Sequence, residues 1–434
     1  MTTSHADFHI VLTKDAVAKI RNSDLNGGVL VMKSIPSEEL FVVISVETSR
    51  DVRVPVDIPT EYSKLRWGDI THPAQWMRPS RPDLHVRHRA MIRRPGTGIS
   101  FEGFHELVPG VSDPGNGLGL MVTHDPGLSV EAREFGASEF AGWLVQRTGV
   151  EPISLVIEPE VVGIGQLASL WPIEQLKAHS VILVGCGSIG GAAAEALAGY
   201  GIGRIELIDP DRFLWHNMVR HVLGAESVGR RKVDALKDHL KERWPNLHVE
   251  TRRLDVVADA HLVRPLVDGV DLVLCAADGI APRRVVSHLS RRAGKPSVLA
   301  CVLDDGAIGE VIRLRPTPRF GCLLCHRQHL SDQGTLDPEA DQELAYGTGQ
   351  VHKPMTAVPP DLHYIGTLMA KIAIATLLES LHGDHTQRLP GEYALLGLRP
   401  ARLYQAPFDL QKAGEIRWLS IPAPRPTCFT CGSA

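Results

Sequence analysis

"VILVGCGSIGGAAAEALAGYGIGRIELIDPDRFLWHNMVRHVLGAESVGRRK", Val181 to Lys232, is the stretch that decides the fold. It opens on an apolar run, passes through Gly185-Cys186-Gly187-Ser188-Ile189-Gly190 and enters an alanine-rich segment. A buried strand turning on glycines into a helix gives the G-x-G-x-x-G pattern its meaning. Lacking Cβ atoms, the backbone turns tightly and can approach phosphate oxygens. The helix N-terminus adds N–H donors and a partial positive charge. The next strand, "RIELID", closes at Asp209, roughly twenty residues on, where a carboxylate can take hydrogen bonds from ribose hydroxyls.

Outward from this stretch the chain alternates. "SVILVG", "RIELID", "HVETRRLD", "VDLVLCAAD" and "PSVLACVLD" read as strands, separated by helical segments such as "RRKVDALKDHLKERW" and Arg283–Ala293. Alternation at this length predicts an α/β fold: a Rossmann-like, mostly parallel sheet with helices on both faces, over residues 159–434. A helix near Ile365–Leu381 carries Lys371 and Glu379 and reads as a core helix, too short and charged for a bilayer.

A smaller α+β domain is expected before it, over residues 1–158. "FHIVLTKDAVAKIRNS" predicts a strand and a helix, and "GGVLVMKS" and "ELFVVISVE" two antiparallel strands. Pro55 to Gly98 has no clear period and reads as long loops with a short helix at "LHVRHRAMI". "GLGLMVTHDPG" and "PISLVIE" read as strands, and "SVEAREFGASEFAGWLVQRTG" between them as an amphipathic helix.

The 434 residues carry a formal net charge of −4, with 44% apolar and 22% charged residues. That balance disfavours nucleic acid as the main partner, which needs a basic face. The N-terminus shows no apolar run behind a basic start, so no signal peptide or membrane partner is expected and the protein reads as cytoplasmic. In a reducing compartment its seven cysteines are candidates for metal binding or burial.

The glycine turn alone does not separate a nicotinamide enzyme from one that uses ATP. The residues after it do. "DPDRFLWHNMVRHVLGAESVGRRK" puts Asp209, Asp211, Asn217, Arg220 and Lys232 just past the carboxyl edge of the sheet, where ligands of open α/β sheets bind. Two cations and an amide there suit the phosphates of a nucleotide attacked at phosphorus; a hydride-acceptor site is not evident.

These residues resemble the ThiF/MoeB/HesA family, adenylating enzymes related to ubiquitin-activating enzymes. Its pattern is a glycine turn, Asp-x-Asp, Ser-Asn-Leu-x-Arg-Gln and a lysine. Here "DPD" matches, and "HNMVRH" keeps Asn217 and Arg220 while His216 and His221 replace the serine and glutamine. Lys232 comes one residue early. "CAADGIAPR" resembles the family's Asp-Asn-x-x-x-Arg, with Asp278 and Arg283 in place and Gly279 for the asparagine. The resemblance implies that a C-terminal carboxylate attacks the α-phosphorus of ATP, giving an acyl-adenylate and pyrophosphate. Arg220 and Lys232 would neutralise phosphate, Asn217 orient it, Asp209 fix ribose and Asp278 hold Mg²⁺. The implied partner is a ubiquitin-like or sulfur-carrier protein with a C-terminal Gly-Gly tail, or a small peptide, with a conjugating enzyme downstream and a homodimeric assembly.

Cys322-x-x-Cys325 and Cys428-x-x-Cys431 are two C-x-x-C pairs. Four thiolates close a tetrahedral, structural Zn²⁺ site, pinning the tail back to the turn after the sheet. Relatives that form a thioester carry a cysteine after the first pair. "DQELAYGTGQVHKPMTAVPPDLHY" has none, so the reaction either stops at the adenylate or uses another thiol such as Cys301. The N-terminal region faintly resembles JAB/MPN metalloproteases, but Asn26 and Thr123-His124-Asp125-Pro126 replace that family's glutamate and His-x-His-Pro. It reads as a degenerate relative used for binding, or as an unrelated recognition domain. His85, His88 and His124 are weighed as a metal cluster against ordinary core or surface histidines. Two rival readings of the whole chain stay open: a silent scaffold, and a nicotinamide or flavin enzyme.

Overall fold

A computed structural model describes residues 8–94, 96–161, 163–304, 306–335, 357–399 and 404–432. The chain forms two compact units, Met1–Val162 and Gly163–Ala434.

In the first unit, strand β1 (His9–Leu12) leads through Thr13 into helix α1 (Lys14–Arg21). The Thr13 hydroxyl accepts the Ala16 N–H and caps that helix. Strands β2 (Gly27–Ile35), β3 (Leu40–Ser49), β4 (Val52–Pro55) and β5 (Thr71–Met77) follow. Helices α2 (Leu84–Ile92) and α3 (Phe101–Leu107) then precede strand β6 (Gly119–His124). A short helix α4 (Val130–Glu134) and strands β7 (Phe140–Gln146) and β8 (Gly149–Ile157) complete the unit. The sheet order is β1-β8-β7-β6-β5-β2-β3-β4, and β1 also pairs with β3, so the sheet closes on itself with β4 outside the ring. One face packs on α1 around Ile10, Val17, Ile20, Met32 and Trp76; the other packs on α2 and α3 around Leu84, Phe104 and Trp143.

Two sequence expectations fail here. The amphipathic helix expected over Ser129–Gly149 is only α4, because Gly136 turns back at φ +88° and residues 140–146 form β7. Phe140 and Leu144 face one core and Ala141, Trp143 and Val145 the other, so the strand is apolar on both faces and shows no alternation. The loop expected over Pro55–Gly98 contains β5, which Pro73 concealed. Pro73 lies opposite Val31 of β2, and β5 pairs with β6 only from Ala74 onward, so the missing N–H falls where β6 asks for none.

The second unit opens with α5 (Ile173–Lys177), strand β9 (Ser180–Val184), helix α6 (Ser188–Tyr200) and strand β10 (Arg204–Ile208). Helix α7 (Lys232–Arg243), strand β11 (His248–Arg252), helix α8 (Ala260–Asp268), strand β12 (Leu272–Cys275), helix α9 (Ile280–Arg292) and strand β13 (Ser297–Leu303) continue the alternation. It ends with β14 (Ile308–Leu314), α10 (Leu323–Asp332), α11 (Pro359–His382), β15 (Tyr393–Gly397) and β16 (Ile416–Leu419). The order is β11-β10-β9-β12-β13-β14-β15-β16, parallel through β13 and antiparallel beyond. Along β9 the side chains alternate: Val181 and Leu183 pack in the core with α6, α7 and α11, Ile182 and Val184 in the core with α8 and α9. The sheet is therefore covered on both faces.

Helix α11 is long and apolar enough to cross a membrane by length and composition. Here Met369, Ala370 and Ile372 to Leu378 are buried, and the helix lies along α6. The approach is close at Gly366, where a Cβ would collide with the backbone carbonyl of Ile189. Gly366→Ala should therefore destabilise the second unit by about 1–3 kcal/mol, the usual range for an added methyl in a packed core. Urea unfolding followed by tryptophan fluorescence checks this.

Candidate functional site

β9 lies between β10 and β12, and the chain leaves it in opposite directions across the sheet. That makes the carboxyl end of β9 the switch point, where a crevice opens in folds of this kind. Three loops meet there, after β9, β10 and β12.

The glycines of the first loop differ in their reasons. Gly185 has φ +87°, and a Cβ on it would strike the backbone of Ala277 beyond β12. A Cβ on Gly190 would strike the Gly185 carbonyl. Both are demanded by the protein's own packing. Gly187 is not: its φ is −82°, and a Cβ there would meet nothing within 4 Å. The space it keeps open lies at the N-terminus of α6, where no side chain caps the helix. Such an end is suited to an anion.

The second loop is held by carboxylates. Asp209 is buried; its Oδ2 accepts the Cys186 N–H at 2.7 Å and its Oδ1 accepts the Asp211 N–H at 2.8 Å. It thus clamps the glycine turn. Burial raises the Asp209 carboxyl above its ordinary value, against the pull of Lys232 and these two donors. Lys232 starts α7 and its Nζ donates to Asp211 Oδ2 at 2.9 Å. Burial works against that ammonium charge, but Asp209, then Asp211 and Asp278, outweigh it and raise its pKa. The lysine stays charged among three carboxylates. Asn217 Oδ1 accepts the Leu214 N–H at 2.8 Å, and the Arg220 carbonyl accepts His363 Nε2 of α11 at 3.0 Å. Both side chains are half-exposed.

His221 was missed as a functional residue. Buried against Phe213, its Nε2 donates to the Cys186 carbonyl at 2.7 Å and its Nδ1 accepts the Leu223 N–H at 3.1 Å. These bonds fix the neutral tautomer. A glutamine amide can donate and accept at the same two places, which explains how a histidine stands where the family pattern has glutamine. Burial holds the His221 pKa down to about 4.

In the third loop Asp278 is exposed and Gly279 follows at φ +90° and ψ 165°. Only glycine visits that region cheaply, so glycine fits this turn better than asparagine. Arg283 does not face the cleft. It is a buried residue of α9 itself, donating Nε to the Gly279 carbonyl at 3.0 Å and facing Glu310 of β14 at 3.6 Å.

The two cysteine pairs converge. Cys322 Sγ lies 3.6 Å from Cys428 and 3.9 Å from Cys325, and Cys325 lies 3.9 Å from Cys431. A tetrahedron of sulfurs with zinc bonds of about 2.3 Å has edges of about 3.8 Å. The donor set fits zinc. It is the one such cluster of cysteines, histidines and acids among the described residues. His85 instead bonds Thr123 and Ser138, His88 bonds the Gly142 carbonyl, and His124 Nε2 bonds Glu139 Oε1 at 2.7 Å. Cys186 and Cys275 are buried and Cys301 is half-buried.

The ThiF family model matches residues 163–398. This chain belongs to the ThiF family. Among relatives, "Adenylyltransferase and sulfurtransferase MOCS3" of Anopheles gambiae is 28% identical over 60% of this chain and 51% of its own. "Ubiquitin-like modifier-activating enzyme 5" of Oryza sativa subsp. japonica is 30% identical over 34% of this chain and 38% of its own. A crystal structure of E. coli MccB with ATP aligns over 60% of this chain and 68% of that one, at 23% identity and a TM-score of 0.45. The chain spans about half or less of the length of these curated relatives.

Two outcomes are expected of this ThiF-family unit. The purified protein should carry one zinc per chain, and Cys428→Ser should lose it together with stability, checked by elemental analysis and thermal melting. His221 has its pKa depressed from 6.5 when folded, so the folded form binds fewer protons than the unfolded chain below that value. The stability this represents is complete above pH 6.5 and lost as pH falls toward 4, about 2 kcal/mol of it between pH 7 and pH 5. His221→Gln should remove that part of the pH dependence, measured as urea midpoints at the two pH values.

Proposed function

We propose that the chain adenylates the C-terminal carboxylate of a ubiquitin-like or sulfur-carrier protein. The observation that carries this reading is the space in front of Gly187. A Cβ on Gly187 would meet none of the described residues within 4 Å, the uncapped end of α6 opens on that space, and Lys232 and Asp278 belong to the two loops beside it. Relatives named as adenylyltransferases and as a ubiquitin-like modifier-activating enzyme support the choice of reaction and partner.

In this reading the triphosphate of ATP lies across the α6 N-terminus. Lys232, kept charged by its acidic neighbours, meets the phosphates, and Arg220 and Asn217 reach them from the same loop. Each Asp209 oxygen accepts one backbone N–H and retains a lone pair for a ribose hydroxyl. A single exposed carboxylate fits Mg²⁺, which takes one or two carboxylates and fills its shell with phosphate and water. Asp278 would hold it, and the ion would offset charge on the phosphate oxygens. The partner's carboxylate oxygen then attacks the α-phosphorus, the bond to the β-phosphate bridging oxygen breaks, and pyrophosphate leaves. Catalysis rests on placement and charge rather than on a general base. The segment expected to carry any thioester cysteine falls on residues 341–364, of which 341–356 lie outside the described residues; it contains no cysteine, and the reaction is proposed to stop at the adenylate.

The test is exchange of labelled pyrophosphate into ATP in the presence of a carrier with a Gly-Gly tail. Lys232→Ala and Asp278→Ala should each lower exchange by about a hundredfold or more, the loss seen when one charge-stabilising group is removed. Exchange with short peptides alone would move the substrate to that class. ATP binding without exchange would make the chain a scaffold.

A further inference from the structure

Asp278 stands on a turn whose next residue, Gly279, has no side chain to stiffen it. A carboxylate that must meet a metal ion and a triphosphate at fixed distance needs its turn held from elsewhere. The tether is Arg283, whose Nε donates to the Gly279 carbonyl at 3.0 Å.

Arg283 is itself held. Its side chain is 2% exposed and its Nη1 lies 3.6 Å from Glu310 Oε1, beside the Cys301 sulfur. Glu310, 1% exposed, sits on a strand buried along its whole length. Arg327 of α10 grips the same carboxylate with both terminal nitrogens, one at 2.8 Å, and the Tyr393 hydroxyl donates to it at 2.7 Å. Burial works to protonate Glu310, but Arg327, then Arg283 and Tyr393, outweigh it and hold its pKa at about 2. It is ionised at every working pH. A buried carboxylate kept charged in this way fixes what is paired with it, because releasing either partner leaves a charge without compensation.

We infer that Glu310 is a positioning residue of the nucleotide cleft, orienting Arg283 so that its tether to Gly279 sets the place of Asp278. The inference rests on the adenylation reading above. Arg327 lies two residues after Cys325, and the Leu323 N–H donates to Ser287 of α9 at 3.1 Å, so the start of α10 is anchored at the cysteine cluster and at α9. The cluster therefore braces the helix that presents Arg327 to Glu310.

The experiment compares the full chain with Glu310→Gln, Asp278→Asn and the double variant, by calorimetric titration with ATP in EDTA and across a Mg²⁺ series. Tyr393→Phe, which removes one bond from the same carboxylate, replaces Glu310→Gln if that variant does not fold. Glu310→Gln should raise the Mg²⁺ concentration for half-maximal ATP binding by about tenfold, while the affinity for ATP in EDTA changes less than twofold. The double variant should be no worse than Asp278→Asn alone, since both act through one carboxylate. Equal losses with and without Mg²⁺, or additive losses in the double variant, would assign Glu310 a merely structural role and overturn the inference. A wild-type chain that binds no ATP would overturn the adenylation reading, and this inference with it; a normal wild-type response that Glu310→Gln leaves unchanged overturns this inference alone.

Discussion

The second unit depends on one close approach. At the carboxyl end of the sheet the backbone at Gly185 comes so near that of Ala277 that no side chain fits between them. This contact joins the turn after β9 to the loop after β12. It brings the uncapped end of α6 and an acidic loop together, although about ninety residues separate them along the chain. Asp209 then clamps the turn from the other side through the Cys186 N–H, and His221 through the Cys186 carbonyl. Both polar groups of the Cys186 backbone are thus held by the protein itself. What is left open is the face toward Gly187.

That arrangement explains why the motif was legible and its supports were not. The glycine turn, Asp-x-Asp and the two C-x-x-C pairs are local patterns whose residue types have few other uses at that spacing. His221 was visible only as a departure from a family pattern, and its role needed the fold to bring Cys186 within reach. Glu310 offered a signal that went unused: a lone acid in "IGEVIRL", an otherwise apolar strand apart from Arg313, implies a buried partner. Arg283 matched its motif yet points away from the cleft, because spacing along a helix does not say which face meets the sheet. In the first unit, β7 was misread because a strand covered on both faces has no period of two. β5 was hidden by Pro73, whose cost depends on a neighbour the sequence does not name.

Buried charge recurs on the antiparallel side of the sheet. Arg313 and Arg315 close on Glu392 and Glu379, as Arg283 and Arg327 close on Glu310. Such sets contribute little net stability against an apolar alternative of the same shape, but they are unforgiving of displacement. They occur where β14 and β15 join the parallel strands to the tail. The central parallel strands present the loops, with a further charged set at their edge, where buried Glu206 of β10 meets Arg204 and Arg252; the antiparallel half carries the charge that ties β14 to α10 and α11.

The cysteine pairs stand 106 positions apart. A ribosome adds that length in about 5–20 s. During that interval the first two sulfurs wait for partners that do not yet exist. A metal at this cluster would be at best half-ligated in such a nascent chain, so α10 would have only its contact with Ser287 until translation has passed Cys431. Closure of the cluster is thus a late event in biogenesis.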